Sequence, residues 1–100
     1  MRMTIKKAAL TLLSRQPYTV YRMGEKLKQK GFSAEETEEC LEWCVRAGYL
    51  NDSAWAERAA ELKAAKGWDN YKIAAYLYHY GISRENITNA IDALKADYYE

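Results

Sequence analysis

Residues 18–33 read YTVYRMGEKLKQKGFS, and residues 68–83 read WDNYKIAAYLYHYGIS. Laid one on the other without a gap, fifty residues apart, the two stretches carry one pattern. An aromatic residue (Tyr18, Trp68) precedes a residue able to cap a helix (Thr19, Asp69). An apolar residue follows four positions after the cap (Met23, Ile73), then Leu27 or Leu77, then Gly31 or Gly81, then Ser33 or Ser83. Thr and Asp side chains accept hydrogen bonds from the first free N–H groups of a helix. The flanking aromatic and apolar pair forms a hydrophobic staple that sets the angle of entry. Glycine supplies the left-handed stop. The stretch therefore reads as one short helix with both ends specified, written twice.

The register extends outward on both sides. Ala9 meets Ala59, Leu12 meets Leu62, Phe32 meets Ile82 and Glu35 meets Glu85. Upstream, Ile5, Ala9 and Leu12, and again Trp55, Ala59 and Leu62, lie on one face of a helix. Asp52 is the expected N-cap of the second of these helices. Downstream, Ser33 with Glu36 has the spacing of a capping box, and Ser83 with Asn86 is a weaker version. The apolar faces that follow are Thr37, Cys40, Leu41, Cys44, Val45 and Ile87, Ala90, Ile91, Leu94, both at i, i+3, i+4, i+7 spacing. No segment alternates as a strand does. Pro17 falls in the turn before a cap, where its missing N–H costs nothing.

The expected fold is all-α: two tandem three-helix, helix-turn-helix-like repeats, residues 1–50 and 51–100, stacked into one small elongated domain. Three short helices bury little alone. Stacking would share a core, with the Tyr49-Leu50 joint and Trp55 as the candidate seam.

Composition narrows the function. Forty-nine per cent apolar residues and mixed charge specify a folded chain. No apolar run is long enough for a membrane span, and the first residues lack the apolar segment of a signal peptide. A cytoplasmic protein is expected. Cys40 and Cys44 stand one helical turn apart, spacing that suits neither a disulfide nor a C-x-x-C pair. They read as small buried residues. His79 is the only histidine, and no metal or other cofactor is expected. No phosphate-binding loop, dinucleotide fingerprint or nucleophile elbow is present. The glutamates from Glu35 to Glu42 fall opposite an apolar face and read as a solvated surface. The chain is expected not to be an enzyme.

Surfaces remain. From Arg2 to Lys30 the bases outnumber the single acid, Glu25, for a net charge of +7, although the whole chain carries only +1. The acids follow, from Glu35 to Glu61. Such asymmetry either builds a polyanion-binding face or pairs internally on a solvated surface. The candidate contacts are Arg15, Arg22, Lys26, Lys28, Lys30 and Lys72, since such side chains meet phosphates without reading sequence. Lys6 and Lys7 lie nearby in sequence. The second surface is aromatic. Tyr76 and Tyr80 are one turn apart and flank the core with Ile73 and Leu77, so Tyr71 and Tyr78 point outward. Outward tyrosines serve protein interfaces or base stacking, and otherwise merely cover a small core.

Several segments resemble the RecX family of regulators. Lys26-Leu27-Lys28-Gln29-Lys30-Gly31-Phe32 is similar to the family's K-L-x-x-K-G-F. Gly48-Tyr49-Leu50-Asn51-Asp52-Ser53-Ala54-Trp55-Ala56 resembles G-Y-L-D-D-x-x-F-A. Lys66-Gly67, Lys72-Ile73, Leu77 and Gly81-Ile82-Ser83 resemble K-G-x-G-x-x-R-I-x-x-x-L-x-x-x-G-I-S. The resemblance implies tandem three-helix repeats and a protein that binds RecA recombinase filaments along their groove, near the DNA; the chain is expected to be a monomer, with single- or double-stranded DNA as a further partner. The resemblance also implies limits on filament growth or activity, restraining recombination and the SOS response.

Departures are equally specific. Family members carry three such units, and two are legible here, a short form or a fragment. Arg22 stands where the family has glutamate. Ala65, Asn70, Ala75 and Tyr78 thin the bases usual around the second unit's first two helices, with Lys63, Lys66 and Lys72 left in that region. Two other functions fit the same residues: a stand-alone nucleic-acid-binding module, and a protein-interaction scaffold with a changed partner.

Overall fold

The computed structural model describes residues 3–99. It is all-α, with six helices and no strand among the described residues: α1 (Ile5–Leu13), α2 (Val20–Gln29), α3 (Ala34–Arg46), α4 (Asp52–Ala65), α5 (Asn70–His79) and α6 (Arg84–Tyr99). The chain divides into two compact units, Met1–Asn51 and Asp52–Glu100, each with three helices. Arg2, counted among the bases above, lies outside the described residues.

The caps expected from sequence form. Thr19 Oγ1 accepts from Arg22 N–H at 3.2 Å, and Asp69 Oδ1 from Lys72 N–H at 2.8 Å. Ser33 and Glu36 close the full capping box, each accepting from the other's backbone N–H at 3.1 Å. Ser83 makes the forward half, accepting from Asn86 N–H at 3.2 Å. The stops also match. Phe32 N–H reaches back to the Leu27 carbonyl at 3.3 Å and Gly31 N–H to Lys28 at 2.9 Å. In the second unit, Ile82 N–H reaches Leu77 and Gly81 N–H reaches Tyr78, at 3.1 and 3.0 Å. Both glycines have the positive φ this double bond requires, 96° and 81°. Gly48 and Gly67 end α3 and α4 by the same bonding.

In the first unit Ala8, Ala9, Leu12, Tyr18, Met23, Leu27, Cys40, Cys44 and Leu50 form the core. Gly24 is buried on α2, and a Cβ there would stand 3.3 Å from Leu41 Cδ1. The missing side chain is what lets α3 close onto α2. In the second unit Ala56, Ala59, Ala60, Ile73, Leu77, Ile82 and Ala90 are buried. Here α4 lies most extensively along α6. Alanines on the shared face permit close packing of the two helices. Leu50 belongs to the first core, whereas Trp55 packs against the second.

Three expectations are corrected. Asp52 is the first residue of α4 rather than the cap before it, a one-residue shift of the kind helix ends commonly show. Leu62 is 48% exposed. The buried stripe of α4 is Ala56, Ala59 and Ala60, and Leu62 falls past its edge. Val45 is 50% exposed, because α3 turns Thr37, Cys40 and Cys44 inward and the next position rolls away.

Thr37 is buried, and its Oγ1 has no hydrogen-bond partner among the described residues. Ile87 occupies the equivalent position in the second unit. Burying an unpaired hydroxyl is costly. Thr37→Val is expected to stabilise the protein by about 1 kcal/mol in urea denaturation. Gly67 has φ 87°, and a Cβ there meets nothing within 4 Å. Gly67→Ala is therefore expected to cost about 1 kcal/mol, from the left-handed backbone alone, in the same assay.

Candidate interaction surfaces

Helix α2 positions the basic candidates. Met23, Gly24 and Leu27 face the core, so the remaining positions are distributed around the outer surface. Arg22, Lys26 and Lys30 are spaced i, i+4, i+8 and run along one flank. Lys28 projects from the opposite flank, the one shared with the exposed Tyr21. The bases thus separate into a three-residue stripe and an isolated lysine. Arg22 Nη1 donates to Glu25 Oε1 at 2.7 Å, with both side chains more than a third exposed. An exposed pair of this spacing contributes little to stability, about 0.5 kcal/mol or less. Lys26 and Lys28 also occupy the last turn of α2, where cations favour the helix dipole.

The other bases are placed differently. Arg15 is exposed in the turn after α1. Lys6 Nζ lies 4.7 Å from the centre of the Trp43 ring on α3. Lys7 is exposed on α1. Lys72 Nζ stands 4.2 Å from the Trp68 ring centre, and Lys63 lies over both Trp68 and Tyr76 at 4.8 and 4.6 Å. Cation–π contacts of this kind anchor an ammonium group without neutralising it.

Helix α3 presents the opposite charge. Glu35, Glu36, Glu38, Glu39 and Glu42 are all exposed, as their spacing predicts. In a helix-turn-helix arrangement the last helix enters the major groove. Carboxylates along α3 would repel the phosphates there. Apart from Arg46, the exposed bases described in the first unit lie instead on α1, in the turn after it, and on α2 or its C-cap.

On α5, Tyr71 is 90% and Tyr78 76% exposed, as the sequence predicts. Spaced i, i+7, they share one flank, about 10 Å apart along the axis. Tyr76 and Tyr80 are half-buried and build a ring cluster that sequence reasoning did not assemble. Trp55 stacks on Tyr76 at 6.4 Å and approaches Tyr80 at 5.2 Å, and Trp68 meets Tyr76 edge-on at 5.8 Å. Burial, followed by the neighbouring Tyr80 hydroxyl, pushes the Tyr76 phenol above its ordinary pKa. His79 is exposed, edge-on to Tyr80 at 5.6 Å.

Cys40 and Cys44 are free and buried. Cys40 Sγ lies 3.9 Å from the Ile5 carbonyl oxygen. Burial, and then the neighbouring Cys40, pushes the Cys44 thiol up to about 11. Burial raises Cys40 too, against the opposing effects of Cys44 and Lys6. Both are neutral thiols at physiological pH and poor nucleophiles. Among the described residues no group of three or more His, Cys, Asp or Glu side chains is arranged to hold a metal ion. No helix among the described residues is long and apolar enough to cross a membrane.

The architecture is that of a tandem three-helix repeat protein whose distinctive features lie on its outer surfaces. Residues 6–44 match the family model for the first three-helix domain of RecX. The regulatory protein RecX of Trichlorobacter lovleyi is 35% identical over 91 residues, covering 90% of this chain and 59% of that protein. RecX of Legionella pneumophila is 33% identical over 84 residues, 84% of this chain and 56% of the relative. RecX of Vibrio vulnificus is 29% identical over 98 residues, 98% of this chain and 64% of the relative. Over most of its length the chain is similar to RecX regulatory proteins. It spans less than two thirds of the length of these curated relatives.

The thiols give a pH prediction. An unfolded cysteine ionises near its ordinary value of 9.0, whereas folded Cys44 stays neutral to about 11. Stability contributed by neutral Cys44 is fully present below the lower value and is lost as pH rises through the upper one. Denaturation midpoints are expected to fall across that window in the wild type and much less in Cys44→Ala. Iodoacetamide at about pH 8 is expected to label the unfolded chain far faster than the folded one.

Proposed function

We propose that this chain is a non-enzymatic regulator that binds RecA recombinase filaments on DNA and lowers their activity in recombination and the SOS response. The observation that carries this reading is the stripe of Arg22 and Lys26 on α2 with Lys30 at its C-cap. It lies in the unit that matches the family's first three-helix domain, on a helix separate from the acidic α3. Long-range attraction by such a stripe steers a protein toward a nucleoprotein filament. Packing against recombinase subunits then holds it there. A net charge of only +1 argues against tight binding to free DNA. Arg15 in the turn after α1, Lys28 on the other flank of α2 and Lys72 on α5 are further contacts in this proposal.

A second reading has its own support. Tyr71 and Tyr78 stand 90% and 76% exposed in a unit whose bases are few. This favours a protein-interaction scaffold acting through α5, with tyrosine as the usual interface anchor.

Titrating the protein into RecA turning over ATP on single-stranded DNA, with filament length followed in parallel, tests the first reading. Loss of turnover at substoichiometric protein is expected. Replacing Arg22, Lys26 and Lys30 together by glutamine is expected to weaken filament binding about tenfold or more and flatten its salt dependence, with an unchanged melting curve. Equal affinity in the triple variant would reject this stripe as the contact. Loss of binding in Tyr71→Ala/Tyr78→Ala instead would favour the scaffold.

A further inference from the structure

The outer faces of α2 and α3 in the first unit leave a groove of about 330 Å³, lined by Val20, Glu38, Leu41, Glu42, Val45 and Arg46. Its floor is aliphatic. Val45 is 50% exposed and Val20 and Leu41 are half-buried. The repeat supplies an internal control for what the fold requires there. Fifty residues on, Asn70 replaces Val20, Lys95 replaces Val45 and Thr88 replaces Glu38. The second unit folds with polar residues at those positions. Ile91 and Asp92 keep the chemistry of Leu41 and Glu42, so packing accounts for those two positions, whereas Val20, Val45 and Glu38 are the first unit's own.

Charge and spacing identify the occupant. Leu41 and Val45 are one turn apart and form a short apolar strip along α3. Glu35, Glu38 and Glu42, at i, i+3, i+7, run beside it on the same helix. Neither Glu38 nor Glu42 has an ion-pair partner among the described residues. A groove with an aliphatic floor and unneutralised carboxylates along one lip matches an amphipathic helix carrying leucine-like anchors and flanking lysines or arginines. The same carboxylates repel a nucleic acid. Arg46 closes one end, which favours an incoming helix whose C-terminus points that way. We propose that this groove is a docking site for a basic amphipathic helix of a protein partner.

The probe is a synthetic helix of leucine and lysine, with leucines at i, i+3, i+4 and i+7, titrated at low salt into the isotope-labelled full chain. Its binding involves no recombinase, so it succeeds or fails independently of the proposed function. Saturable shifts of the Val20, Leu41 and Val45 amide signals are expected. The variant Val20→Asn/Val45→Lys carries the residues of the second unit; Val45→Lys alone, which leaves the core-packed Val20 in place, should melt like the wild type. Affinity for the probe is expected to fall in both, about tenfold in the double variant. Glu38→Gln/Glu42→Gln is expected to weaken binding and reduce its salt dependence. Shifts confined to other surfaces, or equal affinity in the Val20→Asn/Val45→Lys variant, would overturn the proposal. So would concentration-dependent self-association abolished by that variant, which would make the occupant a second copy of this chain.

Discussion

Each unit depends on a middle helix whose two ends are held in place. Helix α2 starts on the Thr19 hydroxyl and stops where Phe32 N–H returns to the Leu27 carbonyl. Helix α5 starts on the Asp69 carboxylate and stops where Ile82 N–H returns to Leu77. Leu27 and Leu77 are fully buried, so the residue that anchors each helix in the core also accepts its terminating bond. The apolar residue after each glycine then packs against the same core. A short helix is marginal on its own. Caps, stop and burial together fix its length and the direction in which the chain leaves it, and the third helix inherits its position from that exit.

That constraint divides the surface of the first unit chemically. With Met23, Gly24 and Leu27 committed to the interior, Arg22, Lys26 and Lys30 must project outward along one flank. With Thr37, Cys40 and Cys44 committed on α3, the glutamates must project outward there. The two signs therefore belong largely to different helices of one small unit, and the Arg22–Glu25 salt bridge lies within α2. A surface of this kind can face a polyanion on one helix and a basic protein segment on another. The division is compatible with a protein that works where nucleic acid and protein lie side by side.

The second unit uses the same backbone for another surface. Its bases are fewer, and two of them, Lys63 and Lys72, rest on aromatic rings rather than standing in a row. Trp55, Trp68, Tyr76 and Tyr80 cover a core made largely of alanine. Large rings at the margin offset the small side chains at the centre, since aromatic packing contributes through both area and geometry.

Much of this was legible in the order of residues. Cap, staple and glycine stop are local signals that act within one helical turn, so Thr19, Asp69, Gly31 and Gly81 could be read directly. The outward tyrosines followed from period alone, because Ile73 and Leu77 leave Tyr71 and Tyr78 no apolar side to occupy. What failed was the edge of each apolar stripe. Leu62 and Val45 have the right spacing and the right chemistry, yet both are half-exposed. A hydrophobic period specifies a face to within about a third of a turn, and the roll of the helix within that margin is set by its neighbours. Alanines on α4 let α6 close in and turn Leu62 out, and Gly24 admits Leu41 and leaves Val45 beside an open groove. By itself, then, the sequence determined the helices, their ends, the repeat and the separation of charge, all of which arise from contacts a few residues apart. The tertiary structure decided which marginal apolar residues stay in water, where the lysines of the second unit rest and that a groove exists, because those depend on side chains brought together from different helices.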